Sequence, residues 1–129
     1  MKAGAALYGI LSTDTDVSAI VSTRIYPEIA AQGSALPLVV YKFSGLRTSD
    51  TKSGVSTLDE ETYDLVAIAA SYTDVTNLSE KIRAALDRYT GTVNAVEVQS
   101  VEFTGYDVDY DATNEVYAAA TEFTLRIIR

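Results

Sequence analysis

Carboxylates are the side chains of this sequence best placed to do chemistry. Asp107-Val108-Asp109-Tyr110-Asp111 sets an acid at every second position and runs on to Asn114 and Glu115, and Asp59-Glu60-Glu61 forms a second acidic run. Hard carboxylate oxygens at alternate positions are what a helix-loop-helix calcium site uses, with glycine sixth and a bidentate glutamate twelfth. Counted from Asp107, those positions hold Ala112 and Ala118. Alternate residues of a strand share one face, so the run reads instead as an acidic stripe on a hairpin, and no metal site is assigned. Two acids flanking a glycosidic bond are the other chemistry open to such clusters. Nothing in the sequence sets the two runs at a working distance, and no tryptophan is present to stack a sugar. A carboxylate-dependent hydrolase or a calcium-binding domain stays as the competing class.

The remaining catalytic apparatus is missing. Histidine and cysteine are both absent, which removes the usual base near neutral pH and the thiolate nucleophile. Gly45 and Gly54 stand too far apart for a phosphate-binding loop, and no Gly-Lys-Ser/Thr occurs. No catalytic residue and no cofactor is assigned, and no enzymatic activity is expected.

The acids need a scaffold, and 129 residues with 47% hydrophobic content suffice for one domain with a core of its own. Eighteen acidic residues against ten basic ones leave a net charge of −8, which argues against gripping nucleic acid through its phosphates. An acidic lumen, by contrast, lets DNA slide past. No stretch approaches the roughly 18 apolar residues of a membrane span, and the N-terminus lacks a basic region followed by an apolar run. A soluble protein without membrane contact is expected, and without cysteines nothing ties it to an oxidising compartment.

Periodicity divides the chain into α-α-β-β-α-β-β. A helix from Ala3 to Ser12 carries Leu7, Ile10 and Leu11 on one face, and Ser12-Thr13-Asp14 caps a short second one with Val17, Ile20 and Val21 inward. Pro27 ends helical tendency, and Pro37 opens a strand from Leu38 to Phe43. Ser44 to Thr57, with two glycines and many hydroxyl residues, shows no period and reads as a flexible loop at about 44–57. A second strand, Leu58 to Ala70, puts Tyr63, Leu65, Ala67 and Ala69 on one face. Thr73 or Asp74 caps a helix whose stripe is Val75, Leu78, Ile82, Ala85, Leu86 and Tyr89, closed by a left-handed Gly91. The third strand, Ala95 to Tyr106, slips phase at Gln99-Ser100, the mark of a β-bulge. After a turn at Asp111 to Asn114, the fourth strand, Glu115 to Ile128, faces Phe123, Leu125 and Ile127 inward. The fold class is α+β, a four-stranded, mainly antiparallel sheet with helices packed on one face.

Four motifs follow in fixed order: Arg24-Ile25-Tyr26-Pro27; Gln32-Gly33 with Leu36-Pro37-Leu38-Val39-Val40-Tyr41; the strand-plus-helix run from Tyr63 to Leu86; and Tyr110 to Ile127. Together they resemble the tail completion, or tail terminator, proteins of long-tailed bacteriophages over nearly the whole chain. The resemblance implies a single domain over 1–129 and a structural virion protein. It would form a homo-oligomeric ring, a hexamer, capping the head-proximal end of the tail tube and joining it to the head connector. Its partners would be copies of itself, the tail tube protein and a connector or head-closure protein, and DNA would pass through unbound. The location implied is the tail-neck region of the virion, after assembly in the host cytoplasm. A head-closure or connector protein of the neck is the alternative. Within that picture, Arg47, Asp50, Lys52 and Gly54 belong to an assembly arm, mobile alone and ordered in the tail. Asp59, Glu60, Glu61, Asp107 and Asp109 are candidates to line or rim the channel.

Overall fold

Strands dominate because so much of the chain alternates apolar and polar residues. The computed structural model describes residues 2–30, 33–51 and 54–128. Its elements are α1 Ala3–Thr13, α2 Thr15–Val21, β1 Ile25–Pro27, β2 Leu38–Thr51, β3 Gly54–Ala69, α3 Tyr72–Leu86, β4 Gly91–Val93, β5 Val96–Asp111 and β6 Val116–Ile128. The strands form one sheet in the order β1-β2-β3-β6-β5-β4, antiparallel except for the parallel pair β1 and β2. The expected four strands are therefore corrected to six. β1 and β4 are each three residues long, too short to display a period.

The second correction concerns the expected loop at 44–57. β2 continues through it to Thr51 and β3 begins at Gly54, so the segment is the far half of a long hairpin. Register pairs run from Gly45↔Thr62 through Arg47↔Glu60 to Thr51↔Gly54. Composition hid this because glycines, charged and hydroxyl residues fill the segment and no apolar alternation marks it.

The helices cover one face of the sheet. Tyr63, Leu65, Ala67, Ala69, Ala119, Phe123, Leu125 and Ile127 point toward them, and all are buried. From α3 the stripe Val75, Leu78, Ile82 and Leu86 enters the same core. Its cap is Ser71, not Thr73 or Asp74: the Asp74 N–H donates to Ser71 Oγ at 3.1 Å. The left-handed residue after α3 is Arg88, with φ 63°, while Gly91 opens β4. Asp14 caps α2 by accepting from the N–H groups of Asp16 and Val17, both at 3.0 Å. A Cβ at Gly9 of α1 would stand 2.4 Å from Val93 Cγ1. Only glycine lets this helix approach β4 so closely, and Asn94 fastens the contact by donating to the Ala5 carbonyl at 2.9 Å.

One row crosses the sheet beneath the helices. Phe43, Tyr63, Phe123 and Phe103 are successive register partners on β2, β3, β6 and β5, and they include every phenylalanine in the chain. Phe43 and Tyr63 meet edge to face at 5.5 Å, and Phe103 and Phe123 at 5.8 Å. Such cross-strand aromatic pairs fix register as well as filling volume. The expected bulge at Gln99 is present, and two more interrupt the sheet beside the aromatic row, one adding Ser44 to β2 and one adding Thr104 to β5.

Candidate assembly surfaces

On the sheet face turned away from the helices, alternation places Lys42, Asp64 and Glu122 in one row and Arg47, Glu60 and Arg126 in another. Among the described residues no helix covers this face. Arg126 Nε lies 3.1 Å from Glu60 Oε1, and Arg126 Nη2 lies 3.9 Å from Glu102 Oε2. The charge of Glu60 is therefore answered within the subunit. Asp64 and Glu122 are direct partners of like charge. Burial, and then the charge of Glu122, raise the Asp64 pKa above the ordinary carboxylate value, while Lys42 pulls it down.

The acidic candidates separate. Asp107 and Asp109 are exposed on β5 and lie on this same face beside Ala120 and Ala118, with no basic register partner. Glu60 shares the face but sits six residues away along the strands, about 20 Å. Asp59 and Glu61 point to the opposite, helix-covered side. Glu61 is 1% exposed, so its expected channel position is corrected. It accepts from the Tyr63 hydroxyl at 2.9 Å and from the Ala3 N–H, 3.4 Å from each carboxylate oxygen, at the start of α1. A buried carboxylate at a helix N-terminus answers orphan N–H groups there. Period-two reading from Tyr63 would have found it, since Glu61 must share the face of Tyr63.

Of the expected arm, Arg47 is exposed on β2 opposite Glu60, Asp50 belongs to β2 and Gly54 begins β3. Lys52 lies outside the described residues. The calcium-like run also dissolves into local structure. Asp111 Oδ1 accepts from the Thr113 and Asn114 N–H groups at 3.0 and 3.3 Å, and Oδ2 accepts from Asn114 Nδ2 at 2.7 Å. Those bonds, the Asn114 side chain first, hold its pKa low. Among the described residues no cluster of three or more acids is gathered to hold a metal.

Sequence reasoning missed a furrow between α3 and β5, with a volume of about 260 Å³. Phe103, Tyr106 and Thr121 line the sheet side, and Thr76, Ser79 and Arg83 line the helix side. The Arg83 guanidinium lies over the Phe103 ring, 4.2 Å from its centroid. Ser79 is satisfied by donating to the Val75 carbonyl at 2.8 Å. The buried hydroxyls of Thr76 and Thr121 make no hydrogen bond among the described residues. No sequence signal marks such a pair, because each threonine is ordinary for its element.

A family model described as Tail completion protein gp17 matches residues 5–128. Among solved structures, a chain in the virion of a native gene transfer agent particle is similar, with a TM-score of 0.77 and 16% sequence identity. That match covers 98% of this chain and 97% of that one. At such an identity the likeness is one of fold. No curated protein matches the sequence. Among the described residues no helix is long and apolar enough to cross a membrane.

Proposed function

The chain belongs to the tail completion protein gp17 family, a non-enzymatic family of bacteriophage structural virion proteins, and from that premise we propose how it works. Copies of it form a ring, a hexamer, that caps the head-proximal end of the tail tube and joins the tube to the head connector. The helix-free sheet face turns toward the DNA path. The observation that carries this reading is the charge on that face, where Asp107 and Asp109 are exposed without basic register partners and Asp64 opposes Glu122. Directly opposed like charges destabilise a sheet, so a face that keeps them is consistent with one that must repel phosphate. The β2–β3 hairpin, with Arg47, Asp50 and Gly54 near its end, reaches the tube or the connector. Its assembly follows synthesis in the host cytoplasm, and its place is the neck.

Cells producing particles without this chain provide the test. Heads and tails should accumulate unjoined, and purified protein should restore joining and be found at the head-proximal end of the tail by gold labelling. Label on tailless heads would instead assign it to head closure. Complete, infectious particles formed without it would refute the reading.

A further inference from the structure

At opposite edges of the sheet stand a displayed apolar side chain and a furrow that the subunit leaves incompletely filled. Ile29 is 80% exposed, more than any other large hydrophobic side chain among the described residues. It is presented by a pinned turn. Glu28 holds a left-handed φ of 63°, a conformation that a side-chain-bearing residue keeps only where its surroundings over-determine it. The surroundings do so here. The Glu28 N–H donates to the Tyr41 carbonyl at 2.9 Å and the Ile29 N–H to the Pro27 carbonyl at 2.7 Å. Glu28 Oε1 in turn accepts from the Phe43 N–H at 3.0 Å. A turn whose backbone is fixed this way loses little freedom on binding.

The furrow lies across the sheet, where β5 runs out from under α3. Thr121 is 1% exposed, and its hydroxyl, like that of Thr76, is buried there without a partner among the described residues. Buried hydroxyls are normally satisfied, and one left unpaired is costly until something answers it. Phe103 and Tyr106 line its sheet side, the Phe103 ring covered on one face by the Arg83 guanidinium, and Glu80 stands beside Arg83 on the helix side. Beyond Arg83, which pairs with Asp87 at 3.8 Å, the surface mixes Asp87 and Glu102 with Arg88 and Arg126, and Arg88 is the cation there with no ion pair among the described residues.

We propose that a second copy of this chain docks in the furrow through its Pro27–Glu28–Ile29 turn. Ile29 packs against Tyr106 and Phe103, peptide groups beside it meet Thr76 and Thr121, and Glu28 comes to rest beside Arg88. The two halves of the contact lie on opposite edges, β1 at one and β5 with β4 at the other. The contact is therefore head-to-tail, the kind that generates closed rings. The inference rests on the ring reading above and names the joint between its members.

The chain has no cysteine, so introduced pairs report without background. Particles carrying Ile29→Cys together with Glu80→Cys, which lines the furrow, are oxidised and run on a non-reducing gel. A ladder of covalent multimers is expected, with none from Ile29→Cys alone or from Ile29→Cys paired with Asp16→Cys on the exposed side of α2. Quantitative mass spectrometry of the same particles counts the copies present. Several copies per particle with no ladder would overturn the joint and leave the ring standing, whereas a single copy per particle would overturn both. As a second arm, Ile29→Ser should leave the melting temperature of the subunit unchanged and weaken association at least about tenfold. Unweakened association would also overturn the joint.

Discussion

Asp64 of β3 and Glu122 of β6 face each other as direct partners on the helix-free side of the sheet. The raised Asp64 pKa, caused first by burial and then by Glu122, favours its protonated form in the folded protein. Between the ordinary carboxylate value and the raised one, the folded state therefore binds more protons than the unfolded state. Stability falls as pH rises through that window and stays lower at neutral pH. Asp64→Asn should gain roughly 0.2–1 kcal/mol at pH 7, the range for cross-strand charge pairs open to solvent. The gain should vanish below about pH 4. Urea unfolding at both pH values checks it, and an equal gain at both would rule out the charge origin.

Glu61 is expected to behave as an internal part of the fold. Glu61→Ala would leave the Tyr63 hydroxyl and the Ala3 N–H without this acceptor and should cost about 1–3 kcal/mol. Glu61→Lys should fail to fold. A stable, soluble Glu61→Lys variant would mean that this side chain reaches solvent.

Asp107 and Asp109 should behave in the opposite way. Reversing both to lysine leaves the subunit folded, since exposed charges contribute little to stability, and creates DNA binding that weakens steeply with salt. Filter binding across a salt series, applied to assembled particles and free protein, measures it. If reversed rings still ignore DNA at low salt, these acids face the outer wall.

Ile82 is fully buried beneath α3. Ile82→Ala should cost about 2–5 kcal/mol and appear as general unfolding, with no selective loss of assembly. An unchanged denaturation midpoint would place this face of α3 outside the core.

Thr121→Val replaces an unpartnered buried hydroxyl with a methyl group, so the isolated subunit should gain about 1 kcal/mol. The same change should weaken association between copies. Calorimetry of the subunit and sedimentation of the assembly separate the two effects. A less stable Thr121→Val subunit would show that the hydroxyl is satisfied within the chain.

The long apolar stripes that the core buries were legible in the sequence. The stripe Val75, Leu78, Ile82 and Leu86 announced α3, the alternation around Phe123 announced β6, and the phase slip at Gln99 announced a bulge. Short elements and those without apolar alternation were not. β1 and β4 are three residues each, too short to leave a periodic trace, and the sequence of the far half of the hairpin is dominated by glycine, charged and hydroxyl residues without alternation. Among the candidate residues, Asp107 and Asp109 lie exposed on one face as their spacing suggested. Asp59-Glu60-Glu61 was misread as one cluster because adjacency in sequence places strand residues on opposite faces.

The bulges at Ser44 and Thr104 adjoin the row through Tyr63 and Phe123, and together they form a crease across the sheet, because a bulged strand bends where the extra residue sits. Asp107 and Asp109 lie on one side of that line and the hairpin end on the other. The tilt of the arm against the acidic plate is thus written in backbone spacing, out of reach of most point substitutions. Loss of a single residue, Ser44 or Thr104, would act differently, since removing the extra residue restores regular alternation with the same register partners and straightens the strand there. Length, more than chemical identity, is what this line of the molecule holds fixed.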